Sequence, residues 1–252
     1  MLRTERRGDV LVLTLNRPER LNAAPPALFD AIREALDQRG DARAVLLAGE
    51  GRAFCSGADI SGSDVGPETV HRALVEHYNP AMLALAELPI PVVSAVRGAA
   101  AGIGCSLALA ADFCVTSETA YFLHAFVNIG LVPDGGASWM LPRLIGRARA
   151  AEMMLLGERV AAAKALDWGL IHKVVADDAL DAQAFALAER LAAGPSVALG
   201  LMRRALQAGF ESDYATALAR EAEDQRTARA TQDGEEGGRA FFEKRPPRFL
   251  GR

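Results

Sequence analysis

Three segments of the chain carry residue types suited to chemistry on a carbonyl group. Phe54 to Ile60 (FCSGADI) follows a short apolar run and is rich in small residues, which let a ligand approach the backbone closely. Gly98 to Gly104 (GAAAGIG) leads into an Ala/Leu-rich helix. A helix start presents unpaired amides and a partial positive charge, which suits a developing oxyanion. Ile129 to Gly136 (IGLVPDGG) sets one carboxylate, Asp134, in an otherwise apolar stretch. Such surroundings raise a carboxyl's pKa and make it a better base.

Taken singly, each segment also has a plainer reading. Glycines near strand ends commonly make turns, and Pro-Asp-Gly-Gly is a good turn sequence for local reasons. The Gly-x-Gly at 102–104 lacks the full spacing and acidic partner of a dinucleotide fingerprint, and no P-loop is present. None of His71, His77, His124 and His172 stands at metal-ligand spacing from a second ligand. No metal is expected, and these histidines read as surface or satisfied core residues.

The elements that must position these segments follow from periodicity. Val10 to Asn16 (VLVLTLN) reads as a strand. Pro25-Pro26 opens an amphipathic helix to about Arg39. Ala44 to Ala48 is a short buried strand, Pro67 to Leu88 has helical spacing, and Val92 to Val96 is another buried strand. A helix over Gly102 to Ala111 and a strand over Phe113 to Thr116 follow. This alternation argues for a parallel, layered α/β core. From Arg147 onward nearly everything reads as helical except Ile171 to Val175, with breaks at Gly157, Gly169, Gly194-Pro195 and Gly209.

Size and charge narrow the class. The 252 residues are 50% hydrophobic, enough for one large domain or two small ones. A formal charge of -4 gives no support to nucleic-acid binding or to general membrane-surface affinity. Met1 to Arg7 is charged and lacks the apolar stretch of a signal peptide. The most apolar region, Pro89 to Ala111, is interrupted by Arg97, several glycines and Ser106, so it reads as buried core. Cys55, Cys105 and Cys114 read as reduced core thiols of a cytoplasmic protein.

In order and spacing, the three segments resemble the crotonase superfamily, the enoyl-CoA hydratase/isomerase family. The likeness spans essentially the whole chain. It begins at Asn16 to Ala23 (NRPERLNA) and includes Arg143 to Gly157, Ala165 to Val175 and Phe241 to Arg245. The resemblance implies a spiral of ββα units (residues 1–190) and a C-terminal helical trimerisation region (191–252). The assembly it implies is a homotrimer or a dimer of trimers. Its ligand is an acyl-CoA thioester; coenzyme A enters with the substrate, and no separate cofactor is expected.

The family's oxyanion hole, two backbone N–H groups, falls on Ala58 and Ile103. Coenzyme A and substrate contacts carry over to Arg20, Leu21, Ala23, Ser56, Asp59, Ile60, Gly104 and Phe126, with Lys244 reaching the nucleotide, sometimes from a neighbouring subunit. The acyl pocket is expected to be lined by Phe126 and by the loop from Ser61 to Glu68.

The chain departs from the hydratase pattern at two positions. Typical hydratases place water with two glutamates, and here those positions hold Ser106 and Phe126. Neither side chain can do a carboxylate's work near neutral pH. Asp134 matches the aspartate of isomerase branches, and IGLVPD with Trp139 to Arg143 (WMLPR) looks most like the phenylacetyl-CoA-epoxide branch. The resemblance thus implies proton shuttling by Asp134 on an enolate, in fatty-acid or phenylacetate breakdown. The alternatives are an enoyl-CoA hydratase, an aryl-CoA dehalogenase with Asp134 as nucleophile, and a non-catalytic acyl-CoA-binding protein.

Overall fold

A computed structural model describes residues 1–61 and 66–252. In chain order the strands are β1 (Leu2–Arg7), β2 (Val10–Leu15), β3 (Ala44–Gly49), β4 (Val92–Val96), β5 (Ala99–Ala101), β6 (Phe113–Ser117), β7 (Tyr121–Leu123), β8 (Val160–Ala161) and β9 (Lys173–Val175). The helices are α1 (Pro26–Asp37), α2 (Pro67–Ala73), α3 (Asn79–Glu87), α4 (Ile103–Leu109), α5 (Ala137–Ala151), α6 (Ala162–Asp167), α7 (Leu180–Ala192), α8 (Ser196–Gly209), α9 (Tyr214–Arg229) and α10 (Gln232–Glu243). A π-helical turn, Leu74–Tyr78, joins α2 to α3.

A 6-stranded sheet in the order β1-β2-β3-β4-β6-β9 forms the centre. Only the hairpin β1–β2 is antiparallel; its other pairs are parallel. The residues explain this layering. Along β2 every residue is buried, and alternate side chains serve two different cores. Val10 and Val12 join Ala44, Leu46, Val93, Ala95 and Val115 against the stripe Leu180, Ala184, Ala188 and Ala192 of α7. Leu11, Leu13 and Leu15 point the other way, into the main core with Leu28, Phe29 and Ile32 of α1 and Leu107 of α4.

Three short strands, β5-β7-β8, make a second sheet. Of these, β5 lies where the sequence suggested a glycine-rich turn (Gly98 to Gly104), and β8 lies between the helix breaks expected at Gly157 and Gly169. Strands of two or three residues are too short to show a period. β1 (LRTERR) was likewise not legible, because it is exposed and charged. Its place comes from backbone pairing with β2, and its charges suit a sheet edge.

The C-terminal helices are tied to this core by Arg203 of α8, which is 5% exposed. Its guanidinium donates to the carbonyls of Leu85, Ala86 and Leu88 at the end of α3, and its Nε meets the Asp112 carboxylate at 2.7 Å. These carbonyls have no intrahelical partner, so Arg203 caps α3. Gly200 allows the approach: a Cβ there would lie 2.3 Å from the Pro89 carbonyl oxygen. Among the described residues, no single helix is long and apolar enough to cross a membrane.

Candidate active site

The two expected oxyanion donors are brought together by backbone pairing. Cys55 N–H donates to Ala99 O at 3.0 Å, and Ala101 N–H donates to Cys55 O at 2.9 Å, so the Cys55 segment runs parallel to β5. Helix α4 packs on the same segment, and a Cβ on Gly104 would stand 2.5 Å from Cys55 Cβ. Gly104 therefore serves this close approach. Each donor follows a glycine with positive φ, Gly57 (112°) before Ala58 and Gly102 (52°) before Ile103. Ile103 opens α4, where a helix leaves its first amides unpaired. Neither Ala58 N–H nor Ile103 N–H donates a backbone hydrogen bond among the described residues.

The segment carrying Asp134 also packs on α4. A Cβ on Gly135 would lie 2.4 Å from Ile103 Cδ1 and 2.7 Å from Ser106 Cβ, so this stretch sits directly on the helix. Ser106 Oγ donates to the Asp134 carbonyl oxygen at 2.9 Å. The carboxylate's Oδ1 is buried with no hydrogen-bond partner. Burial lifts the Asp134 carboxyl to about 6, against the partial relief of its own backbone N–H. A carboxyl with one oxygen unpartnered and a pKa near neutrality is equipped to take a proton and give it back.

The expected coenzyme A segments form a connected edge. Ser56 N–H donates to Leu21 O at 3.0 Å, Ala24 N–H to Gly57 O at 2.8 Å, and Asp59 N–H to Ala24 O at 3.0 Å. Arg20 and Ile60 are exposed beside it, with Ala23 and Ser56 half-buried. The Asp59 side chain is already engaged: Ser61 and then Arg17 hold its carboxyl down at about 2. Phe126 stands at Gly102, its ring edge 3.6 Å from where a Cβ would be. Lys244 caps α10 in a left-handed conformation and is exposed; no hydrogen bond or ion pair joins its side chain to the other site residues among those described. Of the expected Ser61 to Glu68 lining, residues 62–65 lie outside the described residues.

Three supporting residues were not singled out from the sequence. Asn22, fully buried with φ 56°, donates to the Glu50 and Ala53 carbonyls and accepts from Arg17 N–H. Arg17 also reaches Ala23 O and Asp59. Their signal lay inside the NRPERLNA block, where asparagine is the non-glycine residue most at ease with positive φ. Tyr78, turned inward at the π turn, donates to Ala24 O at 2.8 Å and so braces the Ala24–Ala58 bridge. Nothing in its own helical stretch marked it.

The histidine expectation needs correction at one position. His124 is fully buried, and neither ring nitrogen has a partner. It stacks on Phe126 at 5.8 Å between ring centroids. Its apolar surroundings depress its pKa to about 4. The cysteines are buried and free, and burial pushes Cys55 up to about 11 and Cys114 up to about 12, which keeps these thiols unreactive.

The sequence and the fold are shared with known proteins. The enoyl-CoA hydratase/isomerase family model matches residues 5–252. The chain belongs to the enoyl-CoA hydratase/isomerase family. Among its relatives, a Rhodobacter capsulatus protein named "Probable enoyl-CoA hydratase" is 42% identical over 252 residues, covering 100% of this chain and 98% of that one. The 1,2-epoxyphenylacetyl-CoA isomerase of Escherichia coli K12 is 42% identical over 250 residues, covering 96% and 95%. The crystal structure of an enoyl-CoA hydratase from Bacillus anthracis superposes with a TM-score of 0.95 at 32% identity, covering 100% of this chain and 99% of that one. The crotonase fold is thereby established for this family member, with its α/β core and C-terminal helices. Its relatives carry both hydratase and isomerase names.

Proposed function

We propose that this family member is an acyl-CoA isomerase. Asp134 takes a proton from C2 of a CoA thioester, and the Ala58 and Ile103 amides hold the oxygen that becomes negative. The protonated Asp134 then returns the proton at another carbon. For a 3-enoyl-CoA that carbon is C4, the double bond moves from C3=C4 to C2=C3, and no atom is gained or lost. Fixed donors stabilise the enolate without reorganising, each worth roughly 10²–10³ in rate.

The observation that carries this reading is the lone carboxyl of Asp134, its Oδ1 buried without a partner and its pKa lifted to about 6, in a site whose two other candidate positions hold Ser106 and Phe126. One carboxyl suffices for a proton shuttle, whereas hydration also requires a placed water and a second proton-transfer group. The E. coli relative's name supports a phenylacetyl-CoA epoxide as one candidate substrate. Coenzyme A is held along Arg20, Leu21, Ala23, Ser56, Asp59 and Ile60, with Lys244 at the nucleotide; no further cofactor is needed. We assign it to the cytoplasm.

Self-association fits the surface of the C-terminal helices. Met202 and Leu206 of α8, Phe210 just after it and Leu218 of α9 are exposed at 59%, 72%, 59% and 47%. Burying them between copies, as a homotrimer or a dimer of trimers, removes a contiguous apolar face from water.

Hydration is the second reading, favoured by the name of the R. capsulatus relative. Product mass separates the two. Purified protein is incubated with a 3-enoyl-CoA, a 2-enoyl-CoA and a phenylacetyl-CoA epoxide. Mass-neutral conversion supports the isomerase, and the gain of one water by the 2-enoyl-CoA supports the hydratase.

A further inference from the structure

The Ser106 hydroxyl is fully buried in the first turns of α4 and points at the main chain of the segment that carries the proposed base. The Asp134 carbonyl it meets also accepts a bond from Ala137 N–H at 3.2 Å, which closes the local turn but does not join that turn to the rest of the site. Ser106 makes that connection. It lies on the helix whose first residue, Ile103, supplies an oxyanion donor, and Gly135 rests against both Ile103 and Ser106. Through one hydroxyl, the base and an oxyanion donor share a single rigid support.

We propose that Ser106 is a positioning residue for Asp134, its hydroxyl fixing the backbone from which the carboxylate reaches the substrate. The inference rests on the reading of Asp134 as the base. The residue type follows from the contact. A carbonyl oxygen needs a donor, which a hydroxyl is and an ionised carboxylate is not. The contact is also close, since a Cβ on Gly135 would lie 3.1 Å from Ser106 Oγ, and a longer side chain would push the Asp134 segment away. Serine here is therefore a working part of a one-carboxylate site rather than a vacant glutamate position. Misplacing a reacting group by about 1 Å can cost about 10²-fold in rate, so loosening this support should appear in turnover.

The test compares wild type, Ser106→Ala, Ser106→Cys, Asp134→Asn and the double variant Ser106→Ala/Asp134→Asn on the isomerised substrate. Ser106→Ala should lose about 10- to 100-fold in kcat with KM changed little. The acid-side midpoint of its kcat/KM profile should also move down as the loosened segment lets water reach the buried carboxyl. Ser106→Cys keeps a donor at the same position, though a weaker and somewhat larger one, and should fall between wild type and Ser106→Ala. It carries the comparison if the alanine variant does not fold. The Ser106→Ala effect should vanish in the Asp134→Asn background. Wild-type kcat and an unmoved midpoint in a folded Ser106 variant, beside an inactive Asp134→Asn, would overturn the positioning role alone. Full turnover by Asp134→Asn would instead remove the reading of Asp134 on which it rests.

Discussion

A Cβ on Gly102 would stand 3.6 Å from the Cα of Gly57, so the two glycines that precede the paired amides face each other across the site. Each turns its following peptide through a positive φ that side chains resist. The distance between the Ala58 and Ile103 amides, the proposed oxyanion donors, is thus set by two backbone turns pressed together, with Cys55 and β5 as their clamp.

Gly102→Ala tests this arrangement. At φ 52° and ψ −129° an alanine is strained by about 1–3 kcal/mol, and relief rotates the Ile103 amide away from its aim. The expected result is a loss of about 10²–10³ in kcat, with a smaller effect on KM. Steady-state kinetics on a variant shown to be folded by circular dichroism is the measurement; unchanged kcat would count against the pair.

The pKa of Asp134 makes two linked predictions. As a base it must be ionised, so kcat/KM should rise with pH through about 6 and then level off. The same shift costs stability. The folded state binds this proton more tightly than the unfolded chain, whose carboxyl titrates near the ordinary 3.8. The penalty is therefore absent below pH 3.8, grows as pH rises to 6, and is full above it. Asp134→Asn removes it and should be more stable than wild type at pH 8, on the order of 3 kcal/mol at most, with the gap closing by pH 4. Paired melting curves at the two pH values read this directly.

His124 works in the opposite sense. Its folded pKa lies near 4, below the ordinary 6.5, so the unfolded chain binds protons that the folded protein refuses. Its contribution leaves stability unaffected above 6.5 and lowers it progressively as pH falls toward 4. His124→Phe should therefore lose less stability than wild type between pH 7 and pH 5. Denaturant titrations at both values check this, and equal losses would show that the ring is not held neutral.

The sheet was legible where strands are buried on both faces: Val10–Leu15, Ala44–Gly49, Val92–Val96 and Phe113–Ser117 stand where their apolar runs placed them. β1, β5, β7 and β8 were not, because one is charged and the others are at most three residues long. Pro67 to Leu88 read as one helix, and the structure adds only the π turn that swings Tyr78 inward. At the site, the glycines and Asp134 stood out by residue type, but the Ser106 contact did not. It joins positions 28 residues apart through a hydroxyl and a carbonyl, and no spacing rule encodes that pair. His124 defeated a general expectation, since buried histidines usually find partners.

The central claim is that Asp134 alone moves the proton on a CoA-thioester enolate. Its most direct test follows hydrogen exchange at C2 of a 3-enoyl-CoA in deuterated buffer together with isomerised product, using wild type and Asp134→Asn in parallel. The account predicts that wild type forms a product of unchanged composition apart from deuterium, and that Asp134→Asn loses both exchange and isomerisation by about 10² or more. Wild-type exchange and turnover in Asp134→Asn would contradict it.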